Sequence, residues 1–271
     1  MSVHKLSPKV TIRQLLQMKT DGEKIAMLTA YDVSFANVLD DAGVDVVLVG
    51  DSLGMVMQGL DNTLPVTMDD MVYHSRCVAN GLQRALLMVD MPFMSHISPE
   101  IALQNAGRLM KESGAQMVKL EGGSEQREVV QALTLNGIPV CAHLGLQPQR
   151  VHKLGGYRVQ GRDEDVAERM LNEASVLEQA GADALLLECV PAALAAQITA
   201  AVSIPVIGIG AGSETDGQVL VLQDILGITP GRAPKFSQNF MQSADSIQQA
   251  VQNYVDAIKN KTFPDKDHSF S

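Results

Sequence analysis

A (β/α)8 barrel with a short helix ahead of its first strand is the fold class the sequence predicts. Three observations predict it. Short runs rich in Val, Ile and Leu recur along the chain, and amphipathic segments of helix length separate them. The runs are almost continuously apolar rather than alternating, which marks strands covered on both faces, as in a parallel sheet flanked by helices. The 271 residues carry no Pro- or Ser-rich linker and no break in composition, and α/β barrels routinely use about this much chain as one domain. One domain over residues 1–271 is expected, with a polar tail at 261–271. A doubly wound open sheet is the architectural alternative.

The elements follow in order. Thr11 with Gln14 forms a capping box that starts the leading helix. Strands are expected at Ile25–Tyr31, Val44–Asp51, Ala85–Asp90, Gln116–Glu121, Pro139–His143, Ala184–Glu188 and Pro205–Gly210, with a weaker eighth at Ala233–Phe236. Gly43, Gly114, Gly137 and Gly181 each close a helical pattern just before a strand, where glycine takes the left-handed conformation that ends a helix. Ser98, Pro99 and Glu100 read as the cap and first two positions of a helix reaching about Ser113. A helix from about Ala244 to Lys259 completes the barrel.

Composition narrows the function. With 21 basic and 31 acidic residues the net charge is −10, which disfavours a general nucleic-acid surface. No apolar stretch approaches the roughly 20 residues of a membrane span. The opening MSVHKLSPKV lacks the apolar core of a signal peptide, so a cytoplasmic protein is expected. Cys77, Cys141 and Cys189 are odd in number and lack CxxC spacing, which argues against a disulfide framework or a thiolate zinc site. Cys141 and Cys189 read as small buried thiols. The chain has no Trp and only 4% aromatic residues, so little is available for stacking nucleic-acid bases.

The chemistry lies in a repeated feature. VDVVLVGDS reaches Asp51, RALLMVD ends in Asp90, MVKLEGG carries Glu121 and ADALLLECV carries Glu188. In each case a carboxylate follows an apolar run at its C-terminal end, and in a barrel those ends converge on one mouth. Carboxylates packed together repel unless a cation neutralises them, and an all-oxygen donor set favours Mg2+ or Mn2+ over zinc. The plainer reading is that some of the four cap the helices that follow. Lys119 lies two residues before Glu121 and shares its face, placed either to bind a substrate carboxylate or to form a structural ion pair. His143 ends the run PVCAH and is a substrate-contact candidate, or a hydrogen-bonding wall residue. His4 and His268 lie near the ends of the chain and read as solvated. His74, His96 and His152 have no metal-ligand spacing. GIGAG, Gly208 to Gly212, is not a dinucleotide fingerprint and reads as room for a ligand near the backbone. HKLGGYRVQGR, His152 to Arg162, reads as a mobile lid or an ordered surface loop.

Nine blocks now stand in order: LTAYD (28–32), VGDSLGM (49–55), DNTLPVT (61–67), VKLEGG (118–123), HLGLQPQ (143–149), GGYRVQGR (155–162), LLECVP (186–191), IGIGAG (207–212) and PKF (234–236). Together they closely resemble the ketopantoate hydroxymethyltransferase family from about Thr11 to His268–Phe270. The resemblance implies a barrel of the phosphoenolpyruvate/pyruvate superfamily, assembled as a homodecamer. It implies Mg2+ held by Asp51, Asp90 and Glu121, with Asp51, Ser52, Asp90 and Lys119 also contacting an oxo acid. Glu188 matches the family's proton acceptor and His143 a substrate-pocket position. It further implies transfer of a hydroxymethyl group from 5,10-methylenetetrahydrofolate to 3-methyl-2-oxobutanoate, a step toward pantothenate and coenzyme A. Two other readings are a folate-independent lyase or mutase of the same superfamily, and a barrel that only binds an acidic metabolite.

Overall fold

Eight parallel strands close on themselves in chain order in a computed structural model that describes residues 8–229 and 231–271. They are β1 (Ile25–Thr29), β2 (Val46–Val49), β3 (Leu86–Asp90), β4 (Met117–Glu121), β5 (Val140–Gly145), β6 (Ala184–Glu188), β7 (Val206–Ile209) and β8 (Gly217–Leu220). Closure rules out the open sheet. β1 pairs with β8 through Ile25–Gly217 and Met27–Val219, so no edge strand is left to template aggregation. His4 and the rest of the opening segment lie outside the described residues. Among the described residues no helix is long and apolar enough to cross a membrane.

Local sequence sets the helices between the strands. The Thr11 capping box forms, with the Thr11 N–H donating to Gln14 Oε1 at 2.8 Å, and opens the helix Ile12–Asp21. Ser98 caps Pro99–Ser113. Gly43, Gly114, Gly137 and Gly181 all adopt positive φ, between +77° and +102°. Strands and helices bury one aliphatic core, with Met27, Leu87, Val118, Ala142, Leu185 and Val206 each no more than 2% exposed.

The eighth strand corrects the sequence expectation. It is Gly217–Leu220, not Ala233–Phe236, and no helix lies between β7 and β8. The return from β7 runs through Gly210–Asp216 and packs on the outer face of β7, where a helix normally sits. A Cβ on Gly208 would come 2.8 Å from Thr215 Oγ1, so only glycine admits this loop. Asp216 then fixes the bottom of the sheet, accepting from the Val206 N–H at 2.9 Å and from Lys19 Nζ at 2.8 Å. Residues 233–236 are loop, and they reach the mouth of the barrel.

The C-terminal helix is Ile247–Lys259, and the Tyr254 hydroxyl donates to the carbonyls of Met27 and Gln218, tying it to β1 and β8. Segment 261–271, polar in composition, folds back onto the barrel. Phe263 is buried beside Phe240 and Tyr254. His268, expected in solvent, instead bonds Asp265 at 2.8 Å and packs against Phe263, because the fold-back supplies both an acceptor and an apolar wall.

Candidate active site

One cavity of about 590 Å³ opens at the C-terminal ends of the strands, and all seven site residues expected from the sequence line it: Asp51, Ser52, Asp90, Lys119, Glu121, His143 and Glu188. Strand alternation places them. Register pairs Asp90 with Lys119, and Glu121 with His143, across neighbouring strands. Lys119 and Glu121 share the inward face of β4, as their spacing requires. None of the four carboxylates caps a following helix; those caps are Ser52, Ser98, Gly123 and Pro191.

Asp51 and Asp90 are each 4% exposed and joined directly, the Asp51 N–H donating to Asp90 Oδ2 at 3.1 Å. Gly50 permits this turn, since a Cβ there would press on Ser52 Oγ at 2.9 Å and Asp90 Oδ2 at 3.3 Å. Ser52 Oγ lies 2.9 Å from the buried Tyr31 hydroxyl. Lys119 forms the ion pair that was one of its two readings, with Nζ 2.7 Å from Asp90 Oδ1. Burial opposes the Lys119 charge, but Asp90, Glu121 and Asp51 together outweigh it and keep the ammonium above the ordinary lysine range.

One lysine cannot neutralise four buried carboxylates. Burial, reinforced by Asp90, pushes Asp51 up to about 7. Burial and Asp51 raise Glu121 well above its ordinary value. Glu188, its side chain 16% exposed to the cavity, is pushed by burial to about 8. His143 stands between two of these acids, Nε2 3.4 Å from Glu188 Oε2 and Nδ1 3.8 Å from Glu121 Oε1, with hydrogen-bond geometry to neither. Burial, aided by Lys119, holds the ring neutral, so these contacts are not ion pairs.

Gln149 meets the site carboxylates and was missed by sequence reasoning. It is buried; its Nε2 donates to Asp51 Oδ2 at 2.9 Å and to the Met91 carbonyl at 3.0 Å. Its backbone N–H donates to Glu121 Oε2 at 3.0 Å. One residue, in the short 3-10 helix Pro148–Arg150, thus holds one oxygen of each of two different carboxylates. Its only sequence signal was its place in the HLGLQPQ block. Thr63, from the DNTLPVT block, also lines the cavity with its hydroxyl unpaired among the described residues.

The loop His152–Arg162 brings Tyr157, Arg158 and Val159 to the mouth. GIGAG does not leave backbone open for a ligand. Cβ atoms on Gly210 and Gly212 would meet Phe236 and Phe270, and Ala192, so protein side chains fill the space. Cys141 and Cys189 are buried free thiols, and Cys189 follows Glu188 with φ +48°.

The oxygen donors fit a hard divalent cation. They are carboxylates without thiolate, several of them buried beyond what Lys119 offsets. Among the described residues no three His, Cys, Asp or Glu side chains converge tightly enough to form a closed metal cage.

The chain is similar to known proteins in sequence and in fold. Two 3-methyl-2-oxobutanoate hydroxymethyltransferases, from Alkalilimnicola ehrlichii and Marinobacter nauticus, are 63% and 59% identical. Each match covers 96% of this chain, and 94% and 98% of those proteins respectively. Among solved structures, a putative lyase/mutase from Burkholderia cenocepacia J2315 superposes with TM-score 0.60 at 19% identity, over 95% of this chain and 97% of that one. A phosphonopyruvate hydrolase gives TM-score 0.62 at 13% identity, over 82% and 84%. At such identities the likeness is one of fold. Residues 9–266 match the ketopantoate hydroxymethyltransferase family, and the chain belongs to it.

Proposed function

We propose that this chain moves a hydroxymethyl group from 5,10-methylenetetrahydrofolate to 3-methyl-2-oxobutanoate, giving ketopantoate and tetrahydrofolate on the way to pantothenate and coenzyme A. The observation that carries the reading is the ring of Asp51, Asp90, Glu121 and Glu188 around Lys119 in one cavity, in a chain of this family. Asp51, Asp90 and Glu121 are the residues that would hold Mg2+. Bound there, the ion supplies Lewis-acid withdrawal of charge from the 2-oxo group, which acidifies the neighbouring C3–H.

The chain's own groups do the rest. Lys119 and Ser52 orient the oxo acid's carboxylate, the ammonium offsetting its charge in a site of low dielectric. Glu188 takes the C3 proton. Its raised pKa makes it a stronger base than an exposed glutamate, and its position at the cavity wall lets it reach substrate. Water opens both carbon–nitrogen bonds of the folate's methylene bridge, and the electron pair left at C3 forms the new bond to the freed one-carbon unit. The water oxygen becomes the hydroxyl, and the two folate nitrogens leave with protons that come from water and from C3. Neutral His143 lines the wall beside Glu188 without adding charge. Leu48, Leu186, Ile209 and Val219 line the same cavity, give the branched alkyl group an apolar seat and exclude water from the reacting carbon.

Identifying the product after incubation with the oxo acid, methylenetetrahydrofolate and Mg2+ tests the reading. Ketopantoate is expected. Conversion of the oxo acid at the same rate without folate would overturn it.

A further inference from the structure

The cavity has two ends of different character. The inner end carries the strand-end carboxylates and Lys119. The outer end is walled by Tyr157, Phe236 and Phe270, three of the chain's ten aromatic residues (six Phe, four Tyr). A volume of about 590 Å³ falls in the range of roughly 300–1,000 Å³ that holds a drug-sized ligand, far more than a five-carbon oxo acid fills.

The outer wall is built rather than incidental. Phe236 and Phe270 meet edge to face, with centroids 6.5 Å apart. Both rings rest on Gly210, where a Cβ would come 3.0 Å from each. Phe270 belongs to the folded-back C-terminal segment and is fixed twice: its carbonyl accepts from the Ala192 N–H at 2.9 Å, and Lys235, bonded to the Ser269 carbonyl at 2.8 Å, sits over its ring.

The same cavity is lined by a carboxylate that the proton transfer does not use. Asp224, in the short helix Leu222–Leu226 after β8, is 6% exposed and lines the cavity. Thr229 Oγ1 donates to its Oδ1 at 2.5 Å. No basic side chain pairs with it among the described residues. At the rim, Arg158 and Arg232 line the same cavity, also without ion-pair partners among the described residues, on a chain of net charge −10. A buried acceptor, a packed pair of aromatic rings and two exposed cations on one cavity fit a flat heterocycle that has an N–H edge at one end and carboxylates at the other.

We propose that this outer end is the subsite for the folate. Asp224 accepts the N3–H and 2-amino donors of the pterin, Phe236 and Phe270 pack its face, and Arg158 and Arg232 meet the glutamate tail. The assignment rests on the reading of methylenetetrahydrofolate as one-carbon donor, and it puts the reactive methylene between the aromatic wall and Glu188.

Titrating tetrahydrofolate into the protein holding saturating oxo acid and Mg2+ tests the assignment, alongside steady-state kinetics in both substrates. Asp224→Asn should raise the tetrahydrofolate Kd and the KM for methylenetetrahydrofolate by about tenfold or more, as loss of a charged acceptor predicts. The KM for the oxo acid should move less than about twofold. Phe236→Leu, which keeps apolar volume, should weaken folate binding in the same direction and covers the case in which the Asn variant does not fold. Arg232→Gln should weaken tetrahydrofolate but not 6-methyltetrahydropterin, which lacks the tail. Wild-type affinity for tetrahydrofolate in both the Asp224 and Phe236 variants would overturn the subsite and leave the donor standing. Wild-type protein that neither binds tetrahydrofolate nor makes ketopantoate would overturn the donor itself.

Discussion

Glu188 is the base in the proposed reaction, and its surroundings set when it can act. Burial raises it to about 8 because its charged form is the one penalised. The basic form therefore accumulates as pH rises, and a cation bound nearby brings its titration to lower pH. Removal of the C3 hydrogen, read as solvent deuterium incorporation into the oxo acid, should increase with pH up to about 8 at low Mg2+, with its midpoint at lower pH when Mg2+ saturates. Glu188→Gln should lower that exchange by about 10²–10⁴-fold while the oxo acid still binds; undiminished exchange would move the base elsewhere. Gln149 makes a second test. Gln149→Leu removes the donor to Asp51 and leaves the Met91 carbonyl unpaired, yet the backbone N–H that holds Glu121 survives. Loss of such an outer hydrogen bond should weaken divalent-cation affinity by about 10–100-fold, measurable with Mn2+ by electron paramagnetic resonance. The two residues also differ in legibility. Glu188 can be read from sequence because a charge at the end of an apolar run is conspicuous. Gln149 cannot, because a neutral side chain in a short connecting turn of 3-10 helix becomes informative only through the atoms it meets.

At the scale of elements, seven of the strands were legible because continuous Val, Ile and Leu runs have few other homes. The structure trims five of them by a residue or two at an end, so Asp51 stands beyond β2 rather than within it. It leaves Ala184–Glu188 unchanged and carries β5, from Val140, past His143 to Gly145. The eighth strand was illegible for a physical reason. Its opening residues, Gly217 and Gln218, break the apolar run, and no helix precedes it, so both repeating signals fail together. The end of β5 is equally opaque in sequence and packs against the end of β6 that carries Glu188. Gly145 has φ +94°, and a Cβ there would collide with the Glu188 carbonyl, the same oxygen that accepts from the Leu146 N–H at 2.8 Å. Gly145→Ala should therefore cost about 1–3 kcal/mol in backbone strain alone and displace the end of β6. The thermal midpoint should fall, and C3 exchange should fall by more than the loss of folded protein explains. A midpoint and exchange rate equal to wild type would show that the close approach does not hold Glu188 in place.

For the whole molecule, the buried acids link stability to pH and to cation. Asp51 and Glu188 shift from ordinary values of 3.8 and 4.5 to about 7 and about 8 in the fold. Between those limits the folded chain binds more protons than the unfolded chain, so stability falls as pH rises. The loss begins near the unfolded values and is complete once pH passes the folded ones. A divalent cation inverts this trend, because it binds the ionised carboxylates and competes with their protons. At a concentration about 100 times its Kd it would stabilise the fold by about 2.7 kcal/mol. In EDTA the thermal midpoint should thus drop between about pH 5 and pH 8, whereas added Mg2+ should raise it little at pH 5 and most at pH 8. Differential scanning calorimetry across that range makes the comparison without any substrate present. A Mg2+ effect of equal size at both ends would mean that the cation binds somewhere other than among Asp51, Asp90 and Glu121, and the strand-end carboxylates would then need another neutralising partner.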